Sequence, residues 1–232
     1  MNVFIAETRK ENLLLLNDEE SWHCSKVLRM REGSRIFVLD GSGFRYEAVL
    51  QQVNERQCSA EILSVHEVKK RNQALHLAIA PTKNMDRMEW FVEKATELGI
   101  EEISFVWCKN SERKQMKIER LRRVTMSAVK QSMQVFFPIL HEPISFSEFL
   151  DRSQSMNAEK MIAHCYPDLP RRNLSEIVAP RIITLIGPEG DFMQDEVDSA
   201  IKCGFSPVSL GESRLRTETA GIYLAAFFRQ KI

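Results

Sequence analysis

The chain changes periodicity once, near residue 73, and that change limits what it can fold into. Before it, short apolar runs rich in β-branched residues alternate with turn residues. Ser34–Leu39 is followed by the turn cluster Asp40-Gly41-Ser42-Gly43, then by Phe44–Leu50 and Cys58–Val65. An Asp-Gly turn between such runs signals a hairpin. One helix is predicted ahead of them, from about Asp18 to Met30, and Lys69-Lys70-Arg71-Asn72 suits a linker. After residue 73, strands alternate with helices. Predicted strands are Leu75–Ala80, Ile103–Trp107, Met161–His164, Ile182–Ile186 and Val208–Leu210. Predicted helices are Met88–Leu98 (stopped by Gly99), Ile118–Met133, Gln194–Cys203 and Thr217–Gln230. Such alternation implies a mostly parallel sheet covered on both faces. A small β domain over 1–70 and a larger α/β domain over 73–232 are therefore expected.

Composition narrows the function classes. Lys+Arg and Asp+Glu each number 32 in 232 residues, so any nucleic-acid surface must be a local patch. The start of the chain lacks a basic segment followed by a long apolar one, and the longest apolar runs are too short to span a bilayer. Five scattered cysteines without a Cys-x-x-Cys pair argue against disulfides and zinc. Five histidines without ligand spacing add no metal site. A reduced, cytoplasmic protein without membrane association is expected.

Two segments carry most of the chemistry. In Ile182–Phe192 a buried strand runs into a turn with Gly187, Pro188 and Gly190, and acidic residues open the next helix. Ligands of open α/β sheets bind beyond the carboxyl ends of the strands, and glycines let them approach the backbone. A strand-to-helix turn shaped for geometry alone fits equally. The segment Val208–Gly221 repeats the plan, with Thr217 placed to cap a helix whose first turn holds Glu218. Two polar glycine loops at successive strand ends favour a shared ligand pocket. Pro81–Trp90 follows a third strand, with Asp86 as a candidate cap and Lys83 and Arg87 as candidate phosphate contacts. Further basic residues gather around Lys109–Lys117 and Arg120–Arg123, and in the group Lys26, Arg29 and Arg31. A solvated face is the alternative for each group. The third glycine of a dinucleotide loop is missing after Gly41-Ser-Gly43, and no phosphate-binding Gly-Lys-Ser/Thr loop occurs.

Leu185-Ile-Gly-Pro-Glu-Gly-Asp-Phe192 and Leu210-Gly-Glu-Ser-Arg-Leu-Arg-Thr-Glu-Thr-Ala220 resemble the RsmE family, small-subunit rRNA uridine-N3 methyltransferases of the SPOUT superfamily. Val27–Arg31, Glu93–Gly99 and Ser111–Arg113 resemble further family segments in the same order. The resemblance implies a PUA-like β-barrel followed by an α/β domain threaded into a trefoil knot. It implies S-adenosylmethionine as cofactor, rRNA or the small ribosomal subunit as partner, and a homodimer. Carried over by position, the cofactor residues are Leu185, Ile186, Gly187, Pro188, Gly190, Leu210, Gly211, Leu215, Thr217, Thr219 and Ala220. The basic clusters, and not the resemblance, supply the candidate RNA contacts Lys26, Arg29, Arg31, Lys83, Arg87 and Arg113. Two positions depart from the family pattern: Asp191 stands where glycine is common, and Lys130 where the family tends to carry an acid.

For methyl transfer to a uridine nitrogen, placement suggests that Arg216 stabilises charge on the base while Glu189 or Glu218 removes the proton. Methylation of another RNA position and a non-catalytic RNA-binding assembly factor are the competing readings.

Overall fold

The computed structural model of the protein describes residues 2–112, 115–166 and 169–229. The chain forms two compact units: residues 1–70 with 126–137, and residues 71–125 with 138–232. The first unit thus recruits a segment distant in sequence.

In the first unit, β1 (Val3–Lys10), β2 (Leu13–Leu16), β3 (Arg35–Leu39), β4 (Phe44–Gln52) and β5 (Ser59–Glu67) form a closed barrel in the order β1-β2-β5-β4-β3. Closure comes from parallel pairing of β1 with β3, Val3 opposite Phe37 and Ile5 opposite Leu39, and it leaves no free sheet edge. Every second side chain points inward: Ile36 and Val38 of β3, and Tyr46, Ala48 and Leu50 of β4, are buried together with Phe4 and Leu14. The Asp-Gly hairpin forms as expected: Asp40 Oδ1 accepts from the Ser42 amide at 2.9 Å, and Gly41 takes a φ of 76° that favours glycine. The helix expected from Asp18 to Met30 is shorter. It begins at Asp18, capped by the Asn17 side chain accepting from the Glu20 amide at 2.8 Å, and runs as α1 to Trp22. It then widens into a π-turn over His23–Val27, and Arg29 takes a left-handed φ of 49° that ends it. In the recruited segment, Val129 and Val135 pack with Leu39 of the barrel. The Gly43 amide donates to the Val135 carbonyl at 3.0 Å. Lys130, the basic residue at a family acid position, bonds Glu20 Oε1 at 2.7 Å, and Glu20 is buried.

In the second unit, an all-parallel sheet runs β11-β13-β10-β12-β6-β7-β8. Its strands are β6 (Ala74–Ile79), β7 (Glu102–Trp107), β8 (Ile139–Leu140), β10 (Glu159–Ala163), β11 (Arg172–Asn173), β12 (Arg181–Ile186) and β13 (Ser206–Ser209), with β9 (Ile144–Ser145) pairing β7 off this path. Strands buried on both faces read as continuous apolar runs, as in Leu75–Ile79 and Ile182–Ile186. Helices α2 (Met85–Glu97) and α6 (Thr217–Arg229) cover one face, where Phe91, Leu224 and Phe228 meet Leu77 and Ile79. Helices α4 (Phe146–Gln154) and α5 (Gln194–Lys202) cover the other, where Phe149 and Val197 meet Ala78 and Ile183. Helix α3 (Ile118–Ser132) belongs to this unit up to Thr125. Contact between α2 and α6 depends on a missing side chain: a Cβ on Gly221 would lie 2.4 Å from the Phe91 ring. Asn84, not Asp86, caps α2, its side chain accepting from the Asp86 amide at 2.9 Å. Helix α6 is followed to Arg229, and Gln230 lies outside the described residues.

Candidate active site

Strands β13, β10 and β12 are neighbours, so the loops leaving their carboxyl ends converge. Between those loops lies a cavity of about 810 Å³, within the ~300–1,000 Å³ of small-ligand sites. Its wall comprises Ile186 at the end of β12, Gly187, Pro188, Glu189 and Gly190 after it, and Leu210, Gly211, Leu215, Arg216, Thr217 and Ala220 after β13.

The β12 loop is a tight turn, with the Asp191 amide donating to the Pro188 carbonyl at 2.9 Å. Asp191 has φ 62°, which explains why glycine suits the position. The carboxylate compensates for the strain: Oδ1 accepts from the Phe192 amide and Oδ2 from the Cys165 amide, both at 2.8 Å. The Asn110 side chain donates to the carbonyls of Gly190 and Asp191, at 3.2 and 3.0 Å. A Cβ on Gly187 would lie 3.0 Å from the Phe192 ring. Gly211 has φ 117°, a conformation that strains any other residue.

One side chain ties the two loops together. The Thr217 hydroxyl donates to the Gly187 carbonyl at 2.9 Å, in a buried position. Thr217 is therefore not the helix cap that the sequence suggests; it is the first residue of α6, with its hydroxyl turned to the neighbouring loop.

Three residues of the expected set lie off the cavity wall. Leu185 points to the opposite sheet face and packs in the cluster of Phe149 and Phe192, because alternation along β12 sends only Ile186 toward the pocket side. Thr219 is exposed on α6. Glu218 is buried, with Arg87 Nε 3.7 Å from its Oε1, and is not part of the wall. Of the proposed acid–base residues, Arg216 and Glu189 line the cavity, and Glu189 Oε1 accepts from the Lys83 amide at 3.0 Å.

The sequence did not reveal the third side of the cavity: Ala163, the last residue of β10, and His164, Cys165, Tyr166 and Arg171, which follow it. The Tyr166 amide donates to His164 Nδ1 at 3.1 Å and the Tyr166 hydroxyl to the Phe192 carbonyl at 2.8 Å, so this loop is fastened to the β12 loop. Burial lowers the His164 pKa and raises that of the Cys165 thiol, which Asp191 raises further. This loop has neither glycine nor a recognisable fingerprint. It reaches the cavity because β10 sits between β12 and β13, an order that local sequence patterns do not contain.

The candidate RNA contacts fall in both units. Lys26 pairs with Glu55 at 2.6 Å and, with Arg31 and Arg56, lines a shallow groove on the barrel unit; Arg29 is adjacent in sequence. In the α/β unit, Lys83 pairs with Glu112 at 2.6 Å, a contact that raises its pKa, and Arg87 faces Glu218. Arg113 lies outside the described residues. Trp90 is exposed.

A closed barrel and a parallel α/β domain with a glycine-bearing cavity at its strand ends define a two-domain protein with a small-ligand site. Residues 69–229 match the RNA methyltransferase domain family and residues 16–63 the RNA methyltransferase PUA domain family. The chain belongs to the RNA methyltransferase family and, within it, to the RsmE group. It is 28% identical to the ribosomal RNA small subunit methyltransferase E of Mesomycoplasma hyopneumoniae, over 95% of this chain and 96% of the relative. The crystal structure of a probable rRNA-methyltransferase from Porphyromonas gingivalis superimposes with a TM-score of 0.84 at 37% identity, covering 98% and 97% of the two chains. The ribosomal RNA small subunit methyltransferase E of Neisseria gonorrhoeae, solved bound to S-adenosyl methionine, superimposes with a TM-score of 0.85 at 27% identity, covering 99% and 97%.

Proposed function

We propose that this protein transfers the methyl group of S-adenosylmethionine to N3 of a uridine in small-subunit ribosomal RNA. The observation that carries the reading is the cavity itself. The two fingerprint loops wall it, Gly187 leaves room that a Cβ would take from Phe192, and the Thr217 hydroxyl locks the loops together. The cofactor supplies an electrophilic methyl on a sulfonium. The residues placed to hold it are Ile186, Gly187, Pro188, Gly190, Leu210, Gly211, Leu215, Thr217 and Ala220.

Transfer forms the N3–CH3 bond, breaks the S–CH3 bond and releases the N3 proton. The protein's share is to hold donor and acceptor in line and to manage that proton. Arg216, on the cavity wall, stabilises the negative charge that the base develops. Glu189 takes the proton, since it lines the cavity and Glu218 does not. The uridine must be unstacked to reach the wall. Lys26, Arg29 and Arg31 on one unit, with Lys83, Arg87 and Arg113 on the other, steer RNA phosphates. The chain threads as a trefoil knot and acts as a homodimer, as the RsmE resemblance implies, in the cytoplasm, as the five scattered, unpaired cysteines suggest. No helix among the described residues is long and apolar enough to cross a membrane.

Incubation with labelled cofactor and small-subunit rRNA, naked or assembled, followed by nucleoside mass spectrometry, tests the reaction. N3-methyluridine is expected. A ribose-methylated product, or none with either substrate, would overturn the reading.

A further inference from the structure

At the amino-terminal ends of the central strands, away from the loops that form the cofactor cavity, three residues far apart in sequence meet. His76 lies on β6, Glu102 opens β7 directly opposite it in register, and His141 follows β8, with its amide donating to the Ile103 carbonyl. Glu102 Oε1 lies 2.7 Å from His141 Nε2 and 3.8 Å from His76 Nδ1. All three ligand atoms lie within 4.8 Å of one another.

We propose that His76 Nδ1, Glu102 Oε1 and His141 Nε2 bind one divalent ion of the zinc class. Metal–ligand bonds of about 2.0–2.2 Å place tetrahedral donor atoms roughly 3.4 Å apart, and the observed 2.7 and 3.8 Å separations straddle that value. Small side-chain movements therefore suffice.

Three further observations support the site. His76 is 2% exposed, and its Nδ1 has no hydrogen-bond partner, which is costly for a buried polar atom. Its other ring nitrogen, Nε2, is 2.8 Å from the Ser104 hydroxyl. With Nε2–H donating to Ser104, the Nδ1 lone pair is aimed at the cluster, as in the outer-shell bonds that orient metal-bound histidines. Arg181 donates to Glu102 Oε2 at 3.1 Å and so occupies the oxygen that the ion does not need. His141 is partly exposed, so the ion can enter from that side and take water as its fourth ligand.

Two imidazoles with one carboxylate suit zinc, cobalt or nickel and not magnesium or calcium, which prefer oxygen-only sets. The ion would clamp three adjacent strands, a structural role separate from methyl transfer. Sequence spacing could not disclose it, because parallel pairing alone brings positions 76, 102 and 141 together.

The test is calorimetric titration of chelator-treated full-length protein with Zn2+, repeated with Co2+ while recording visible absorption. Wild-type protein should bind one ion per chain, give the d–d bands of low-coordinate cobalt, and unfold at a higher temperature with metal present. His141→Ala, at the exposed corner, and Glu102→Gln, which preserves shape, should each weaken binding at least about tenfold. The Cys165→Ser variant, which removes an exposed thiol elsewhere, should bind as wild type does. Wild-type binding no tighter than that of His141→Ala, or binding lost in Cys165→Ser instead, would overturn the proposal.

Discussion

Replacing Thr217 with valine removes a single hydroxyl, and with it the bond that ties the two cofactor loops. The shape is nearly unchanged, so the effect isolates the hydrogen bond to the Gly187 carbonyl, 2.9 Å long and buried. Deleting one partner leaves that carbonyl unsatisfied, at a cost of about 1–3 kcal/mol. A stability loss near the middle of that range is expected by urea denaturation. The same bond fixes the separation of the loops, so cofactor binding in the variant must first restore it. If about 1–2 kcal/mol of the loss falls on binding, the dissociation constant for S-adenosylmethionine rises roughly 5- to 30-fold. Calorimetry reads that number directly. Thr217→Ser keeps the donor and should recover most of both losses. A Thr217→Val variant that is destabilised yet binds the cofactor as wild type does would refute the idea that the two loops form the site jointly.

Other outcomes follow from particular contacts. Lys130→Ala removes the partner of buried Glu20 and should cost about 1–3 kcal/mol in chemical denaturation; Lys130→Arg should be milder. Gly221→Ala drives a Cβ to within 2.4 Å of the fully buried Phe91 ring, so a loss of about 1–3 kcal/mol is expected from overpacking. Burial lowers the His164 pKa, so the unfolded chain takes up a proton that the folded chain resists. Stability should therefore fall as pH drops below the ordinary histidine value of 6.5, and His164→Asn should flatten that fall in thermal unfolding. Arg216→Ala should lower turnover about 100-fold while cofactor binding persists, measured by methyl transfer under saturating cofactor.

Much of the fold was legible because its signals are local. The Asp40–Gly43 turn, the continuous apolar strands Leu75–Ile79 and Ile182–Ile186, and the stop at Gly99 follow from turn chemistry and burial. Strands β1 and β2 were not anticipated, because Val3–Lys10 alternates weakly and Leu13–Leu16 does not alternate at all. Helix α4 was missed because the strand it follows, β9, has only two residues and left no strand–helix alternation to place it. The return of residues 126–137 to the barrel unit is invisible to periodicity, since one helix runs through the boundary. For the site, glycines marked two of the three loops. The His164–Arg171 side was hidden because strand order, not local composition, brings it there, and the Leu185 side chain lies off the wall because a motif names consecutive residues while a strand turns alternate ones away.

The central claim is that the loops after β12 and β13 bind S-adenosylmethionine. Calorimetric titration of the wild-type protein beside Gly187→Val and Gly211→Val tests it most directly. Saturable wild-type binding is expected. Both variants should lose it while remaining folded, the first because its side chain meets Phe192 and the second because φ is 117°. Unaltered binding in both variants, or no binding by folded wild-type protein, would contradict the account.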